Sequence, residues 1–199
     1  MARTRTLSVI SAFEVPPDAD EAFVAGWERA RDLLAGKDPA GSTALHRALR
    51  SDVTLRFVDV ARPGSQDAVG DPGAALPFTA HAGVYEVIQE DGEPEGAGGV
   101  LLIDAVEVPA DEDERFLADR ERIRAVFAAR RGYLGTRLHR SLGTARFRFV
   151  EVVRWSSPLM YARALRQPEV GQAASARRFA GRPALYLLIQ TRTHSNVGA

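Results

Sequence analysis

Residues 10–23 read ISAFEVPPDADEAF and residues 103–116 read IDAVEVPADEDERF. At an offset of 93, nine of these fourteen positions are identical, which marks an internal repeat. The offset holds for Glu28-Arg29 against Glu121-Arg122, and for Leu45-His46-Arg47 against Leu138-His139-Arg140. It slips by one where Arg56 to Val60 meets Arg148 to Val152, as one deletion in a surface loop would cause. Val84 to Ile88 then matches Leu185 to Ile189, with extra residues of the second copy placed between Trp155 and Pro183. The 199 residues thus read as two units, 1–90 and 100–199. Segment 91–99, rich in Asp-Gly and Gly-Gly, has the composition of a linker.

Each copy follows one plan. An apolar run, Thr6 to Val15 or Val100 to Val108, stops at a proline and reads as a strand. Asp18 or Asp111 is the expected helix N-cap. Phe23, Trp27, Ala30 and Leu34, or Phe116, Ile123, Val126 and Phe127, then recur at helical spacing. Beyond Gly41 or Gly132 come a strand with Leu-His-Arg and another with Arg-Phe-Val. A second helix is legible only in copy two, from Pro158 to about Leu165, and an apolar strand closes each copy. The order βαββαβ is a ferredoxin-like α+β unit. A sheet covered by helices on one side leaves an apolar face bare, so the two antiparallel sheets are expected to pack together as a barrel-like pair within one chain.

Composition narrows the function. With 26 basic and 26 acidic residues there is no net charge to draw in nucleic acid or an anionic membrane. The chain has no cysteine, so disulfides and thiolate chemistry are out, and neither a signal peptide nor a membrane span is legible. A cytoplasmic protein is expected. The four histidines lack tight ligand spacing, the glycine-rich segment 96–99 precedes a strand where a phosphate site needs a helix, and Gly-x-Ser-x-Gly is absent. No metal and no cofactor is expected.

The stretch VISAFEVPPD at 9–18 with FVAGW at 23–27, and FVEVVRWSSPLMY at 149–161, resemble antibiotic-biosynthesis monooxygenase domains of the dimeric α+β barrel superfamily. That resemblance covers most of the chain. It implies cofactor-free oxygenases of aromatic polyketides, haem-degrading enzymes, cyclase relatives or members of no known activity. In quinone-forming members it implies an asparagine on the first strand, another four residues before a tryptophan, that tryptophan, and a tyrosine six residues beyond it. Here Trp155 and Tyr161 match, while Ser11 and Asp104, and Asp59 and Glu151, replace the asparagines. Copy one has Pro63 at the tryptophan position, so any pocket is expected in copy two.

Asp104 and Glu151 are acidic residues in apolar strands, where an ionised carboxylate needs a partner. Arg148, Arg154 and Arg140 are the candidate partners. Otherwise the carboxylates serve as a base toward a phenol or activated carbon. The expected site is therefore Glu151, Asp104 and Tyr161 as catalytic groups, with Trp155, His139, Arg148 and Phe149 around the substrate. His46 and His139 share one repeat position, which suits a common structural task. The reaction expected is O2-dependent oxidation of an aromatic polyketide phenol or anthrone, with cyclisation or mere binding as alternatives. The internal pair allows a monomer as well as a homodimer.

Overall fold

A computed structural model describes residues 6–35, 40–64, 76–94, 96, 98–175 and 178–193. Its strands are β1 (Leu7–Glu14), β2 (Ser42–Ala48), β3 (Phe57–Arg62), β4 (Thr79–Gly92), β5 (Val100–Val106), β6 (Tyr133–Ser141), β7 (Phe149–Trp155) and β8 (Ala184–Thr193). Its helices are α1 (Asp20–Ala35), α2 (Asp113–Ala128), α3 (Pro158–Leu165) and α4 (Pro168–Ser175). The class is α+β, and the strands follow one closed hydrogen-bonded order, β1-β3-β2-β8-β5-β7-β6-β4. The strands and long helices lie where the repeat puts them. Helix α4 is an addition that the sequence reading did not contain.

Contacts divide the chain into two compact units: residues 1–87, 141–146 and 187–199, and residues 88–140 and 147–186. β4 and β8 each run through both. The segment read as a linker begins inside β4, which continues to Gly92.

In the first unit β1 pairs with β3 and with β4, and β2 with β3, all antiparallel. Phe13, Phe23, Trp27, Leu45 and Phe57 form its core under α1. The Leu34 side chain lies outside the described residues. In the second unit β5 pairs antiparallel with β7 and with the start of β8, and β6 with β7. Here α2 covers two apolar clusters, one around Phe116, Leu138 and Phe149, the other around Phe127, Val153 and Trp155. At the end of α2, Gly132 takes φ +94°, a conformation open to glycine but costly for other residues.

The helix starts differ from expectation. Asp18 and Asp111 sit inside single 3-10 turns, Pro17–Ala19 and Ala110–Glu112, and not at the cap position. Pro16 and Pro109, both at φ −59°, open those turns, and their carbonyls accept from Ala19 and Glu112 at 3.0 Å. A cap aspartate has no vacant place there. Instead Asp20 and Asp113, in the first helical turns, accept arginine forks: Arg56 Nε and Nη2 at 3.0 and 2.7 Å, Arg148 Nε and Nη2 at 3.0 and 2.6 Å. Such two-point pairs fix direction as well as distance.

The aromatic cores are duplicated as closely. Phe23 stacks on Phe57 with centroids 4.3 Å apart, and Phe116 on Phe149 at the same separation. Phe78 and Phe179 each meet the helix phenylalanine edge-on.

His46 and His139 are twins too. Their Nδ1 atoms lie 3.2 Å from the Val58 carbonyl and 3.1 Å from the Val150 carbonyl, so that Nδ1–H donates in each. His46 is only 5% exposed, and burial pushes its imidazole down to about 4. The folded chain therefore refuses a proton that the unfolded chain accepts below its ordinary value near 6.5. This contribution is complete above pH 6.5, declines as pH falls, and is exhausted near pH 4, a loss of about 3 kcal/mol. Urea denaturation between pH 7 and 4 should show that decline, and His46→Asn should flatten it. An unchanged slope in the variant would disprove the assignment.

Candidate active site

β5 and β7 run antiparallel with Val106 opposite Phe149, Asp104 opposite Glu151, Leu102 opposite Val153 and Val100 opposite Trp155. Side chains alternate between faces along a strand, so these four pairs form successive rows on one face. Above them α2 presents Phe116, Asp119, Arg120, Ile123 and Phe127, spaced by three and four residues. The two carboxylates are thus a cross-strand pair roofed by a helix.

Two cavities flank that pair. The outer one is lined by Val106, Phe116, Asp119, Arg178 and Phe179, the inner one by Leu102, Arg124, Phe127, Tyr133 and Val153; Asp104, Glu151 and Ile123 border both. The outer cleft spans about 420 Å³ counted to its mouth. Its closed part holds only about two or three waters.

Arg120, 3% exposed, is the partner of Glu151: Nε and Nη2 stand 2.9 and 2.7 Å from Oε1. The Thr136 hydroxyl donates to the same oxygen at 3.1 Å, and Arg120 Nη1 donates to Gln89. Two of the three expected partners serve elsewhere. Arg148 holds Asp113, and Arg154, an odd number of residues from Glu151 and hence on the other face, donates to the Glu93 carbonyl at 3.2 Å. Asp104 lies against the Gly181 backbone, where an added Cβ would come 2.4 Å from Oδ1. The Tyr186 hydroxyl is pushed up by burial and then by the Asp104 charge. Asp119 pairs with Arg122 and, at 3.4 Å, with Arg178.

Of the expected site residues, Asp104 and Glu151 come together and Phe149 floors the outer end beneath Phe116. Trp155, 0% exposed, and Tyr161 lie beyond the inner row, ring centroids 5.5 Å apart, and line neither cavity. The Trp155 Nε1 has no hydrogen-bond partner. His139 pairs with Val150 on the opposite face, and Arg148 belongs to the helix start. Sequence reasoning missed Arg120, Asp119, Thr136, Arg178 and Phe179. Only Phe179 left a signal, since it repeats Phe78 in the register that pairs Tyr186 with Tyr85.

The first unit has the same row with other residues. Ser11 faces Asp59, Thr43 donates to Asp59 at 2.5 Å, and Arg31 pairs with it; Trp27 stands at the repeat position of Arg120. Asp59 is wholly enclosed, whereas the Glu151 side chain is 15% exposed toward its cavity. Among the described residues no three His, Cys, Asp or Glu group as a metal site, and no helix is long and apolar enough to cross a membrane.

Removing Arg120 leaves the Glu151 carboxylate buried without its cation. Arg120→Ala should cost about 3–5 kcal/mol, and adding Glu151→Gln should recover part of it. A double-mutant cycle by urea denaturation measures this, and simple additivity would refute the pairing.

No family model matches the chain, and no curated protein matches it. Solved structures do. An anthrone oxidase-like protein has 16% identity and a TM-score of 0.71, with 99% of this chain and 97% of that one covered. A ferredoxin-fold protein of Listeria monocytogenes related to antibiotic-biosynthesis monooxygenases has 14% identity and a TM-score of 0.53, covering 94% and 96%. A heme-degrading enzyme of the same organism has 16% identity and a TM-score of 0.50, covering 90% and 97%. Identities this low speak to fold and leave the reaction open. In fold, and over nearly its whole length, the chain is similar to ferredoxin-fold proteins related to antibiotic-biosynthesis monooxygenases.

Proposed function

We propose that the chain is a cofactor-independent cytoplasmic oxygenase that oxidises a phenolic, anthrone-like ring of an aromatic polyketide at the second unit's carboxylate row. The observation that carries this is the Asp104–Glu151 pair, set between apolar walls and bordering both cavities. The likeness to an anthrone oxidase-like protein supports the substrate class.

The ring lies in the outer mouth against Phe116 and Phe179, its activated C–H edge toward the carboxylates. One carboxylate takes a proton, and the carbanion passes one electron to O2. Recombination at carbon gives a peroxide anion, which takes the proton back from the carboxylic acid to become a hydroperoxide. Loss of the remaining hydrogen with the outer oxygen as water leaves a carbonyl, so one oxygen atom enters the product and the other leaves in water. Arg120 holds Glu151 in place and balances charge beside the developing anion.

Haem is the group that another fold relative brings into consideration. None of the imidazoles of His46, His81 and His139 lines either cavity, and His194 is outside the described residues. Neither cavity therefore offers an imidazole to hold a haem iron.

The test is oxygen uptake with anthrones and related phenols. One O2 should be consumed per quinone formed, and Asp104→Asn or Glu151→Gln should lower kcat by about 100- to 10,000-fold. Turnover that continues under strict anaerobiosis would make the reaction a cyclisation or isomerisation. Full rates in both variants would remove the base.

A further inference from the structure

The inner cavity has a chemistry of its own. Leu102 and Val153, opposite each other on β5 and β7, lie two residues along their strands from Asp104 and Glu151 on the same face. One row is therefore about 7 Å from the next. Phe127 and Ile123 of α2 close the top and Tyr133 closes the end. Leu102, Val153 and Phe127 are all buried core residues, packed with Trp155 behind them. The space has room for about one water-sized or diatomic molecule. Away from the Asp104–Glu151 side its wall is formed by Leu102, Ile123, Phe127 and Val153, and a cavity with such a wall takes up apolar guests.

We infer that this cavity is a dioxygen site, which rests on the oxygenase reading above. It adjoins the outer cleft at the carboxylate row, so O2 held there sits one strand row from the carbon that loses its proton. The aromatic ring is too large to enter. The two substrates of one reaction thus have separate compartments, with Asp104, Glu151 and Ile123 as the shared wall. The polar groups at the rim are committed: Arg124 binds Glu121 and Asp91, and the Tyr133 hydroxyl donates to Asp91 at 2.6 Å. Neither needs a water in the cavity.

Xenon, an apolar guest visible by X-rays, tests the site without turnover. Crystals under xenon pressure should show one atom between Leu102, Phe127 and Val153, and Val153→Leu should abolish it. In steady-state assays at varied O2, Val153→Leu should raise the KM for O2 about three- to ten-fold, with a smaller change in the KM for anthrone. Leu102→Phe, which fills the same space from the other strand, guards against a folding defect in one variant. A hydrogen-bonded water that xenon does not displace would overturn the assignment, as would an unchanged KM for O2 in variants that have lost the xenon atom. Oxygen uptake without a xenon site would overturn this inference alone. Xenon binding in a protein that consumes no O2 would overturn the oxygenase reading and the dioxygen assignment with it.

Discussion

An ionised carboxylate under a helix is costly unless it is partnered, and for Glu151 in the second unit the partner is Arg120. The pair does more than neutralise Glu151. Arg120 is four residues after Phe116 and three before Ile123, so the Phe116–Phe149 stack on one side and Ile123 on the other determine where its guanidinium falls. Sliding α2 by one residue would bring Asp119 over Glu151 and set like charges together. Apolar packing and the ion pair therefore select one helix register, and the Asp113–Arg148 fork pins the same helix at its start. The position of α2 in turn decides which side chains roof the two cavities.

The first unit reaches the same requirement by another route. Its acid, Asp59, is met by Arg31, one helical turn beyond the place that Arg120 occupies in the other copy, and Trp27 fills that earlier place. Burial pushes the Arg31 guanidinium down to about 10, which still leaves it charged at neutral pH. Arg31 also lies over the Trp27 ring, 5.7 Å from its centroid. With a serine opposite the acid in place of a second carboxylate, the row becomes a closed structural clamp. Two exchanges, Trp for Arg on the helix and Ser for Asp on the strand, separate an enclosed row from one that borders open space.

Fold and site were legible to different depths for identifiable reasons. The repeat exposed the strands and long helices because each apolar block recurs at nearly one offset, and opposing strands then force Asp104 and Glu151 into register. The buried charges of α2 were hidden, since Asp119 to Arg122 reads Asp-Arg-Glu-Arg and periodicity registers only apolar positions. Two of the three arginines considered as partners of Glu151, Arg148 and Arg154, lie on or beside its own strand, where alternation places them on the wrong side. The N-caps were misplaced because prolines start a 3-10 turn before the helix, which moves the useful aspartates two residues on. Helix α4 starts at Pro168 and holds Gly171 and two alanines in eight residues, a run too short for an apolar repeat to be read from it.

The retention of Trp155 and Tyr161 in copy two alone has a packing explanation that their positions supply. Neither touches a cavity, yet both stand directly behind the Leu102–Val153 row, with Phe127 edge-on to Trp155 and stacked with Tyr161. A wall of packed aromatic rings stiffens that end, where an apolar surface without backing would leave contacts unmade. In copy one Pro63 takes the tryptophan's place, so the corresponding strand has no ring to offer behind Val9 and Ala61, the pair next to Ser11 and Asp59. The tryptophan and tyrosine thus back the apolar end of the row in which the acids lie.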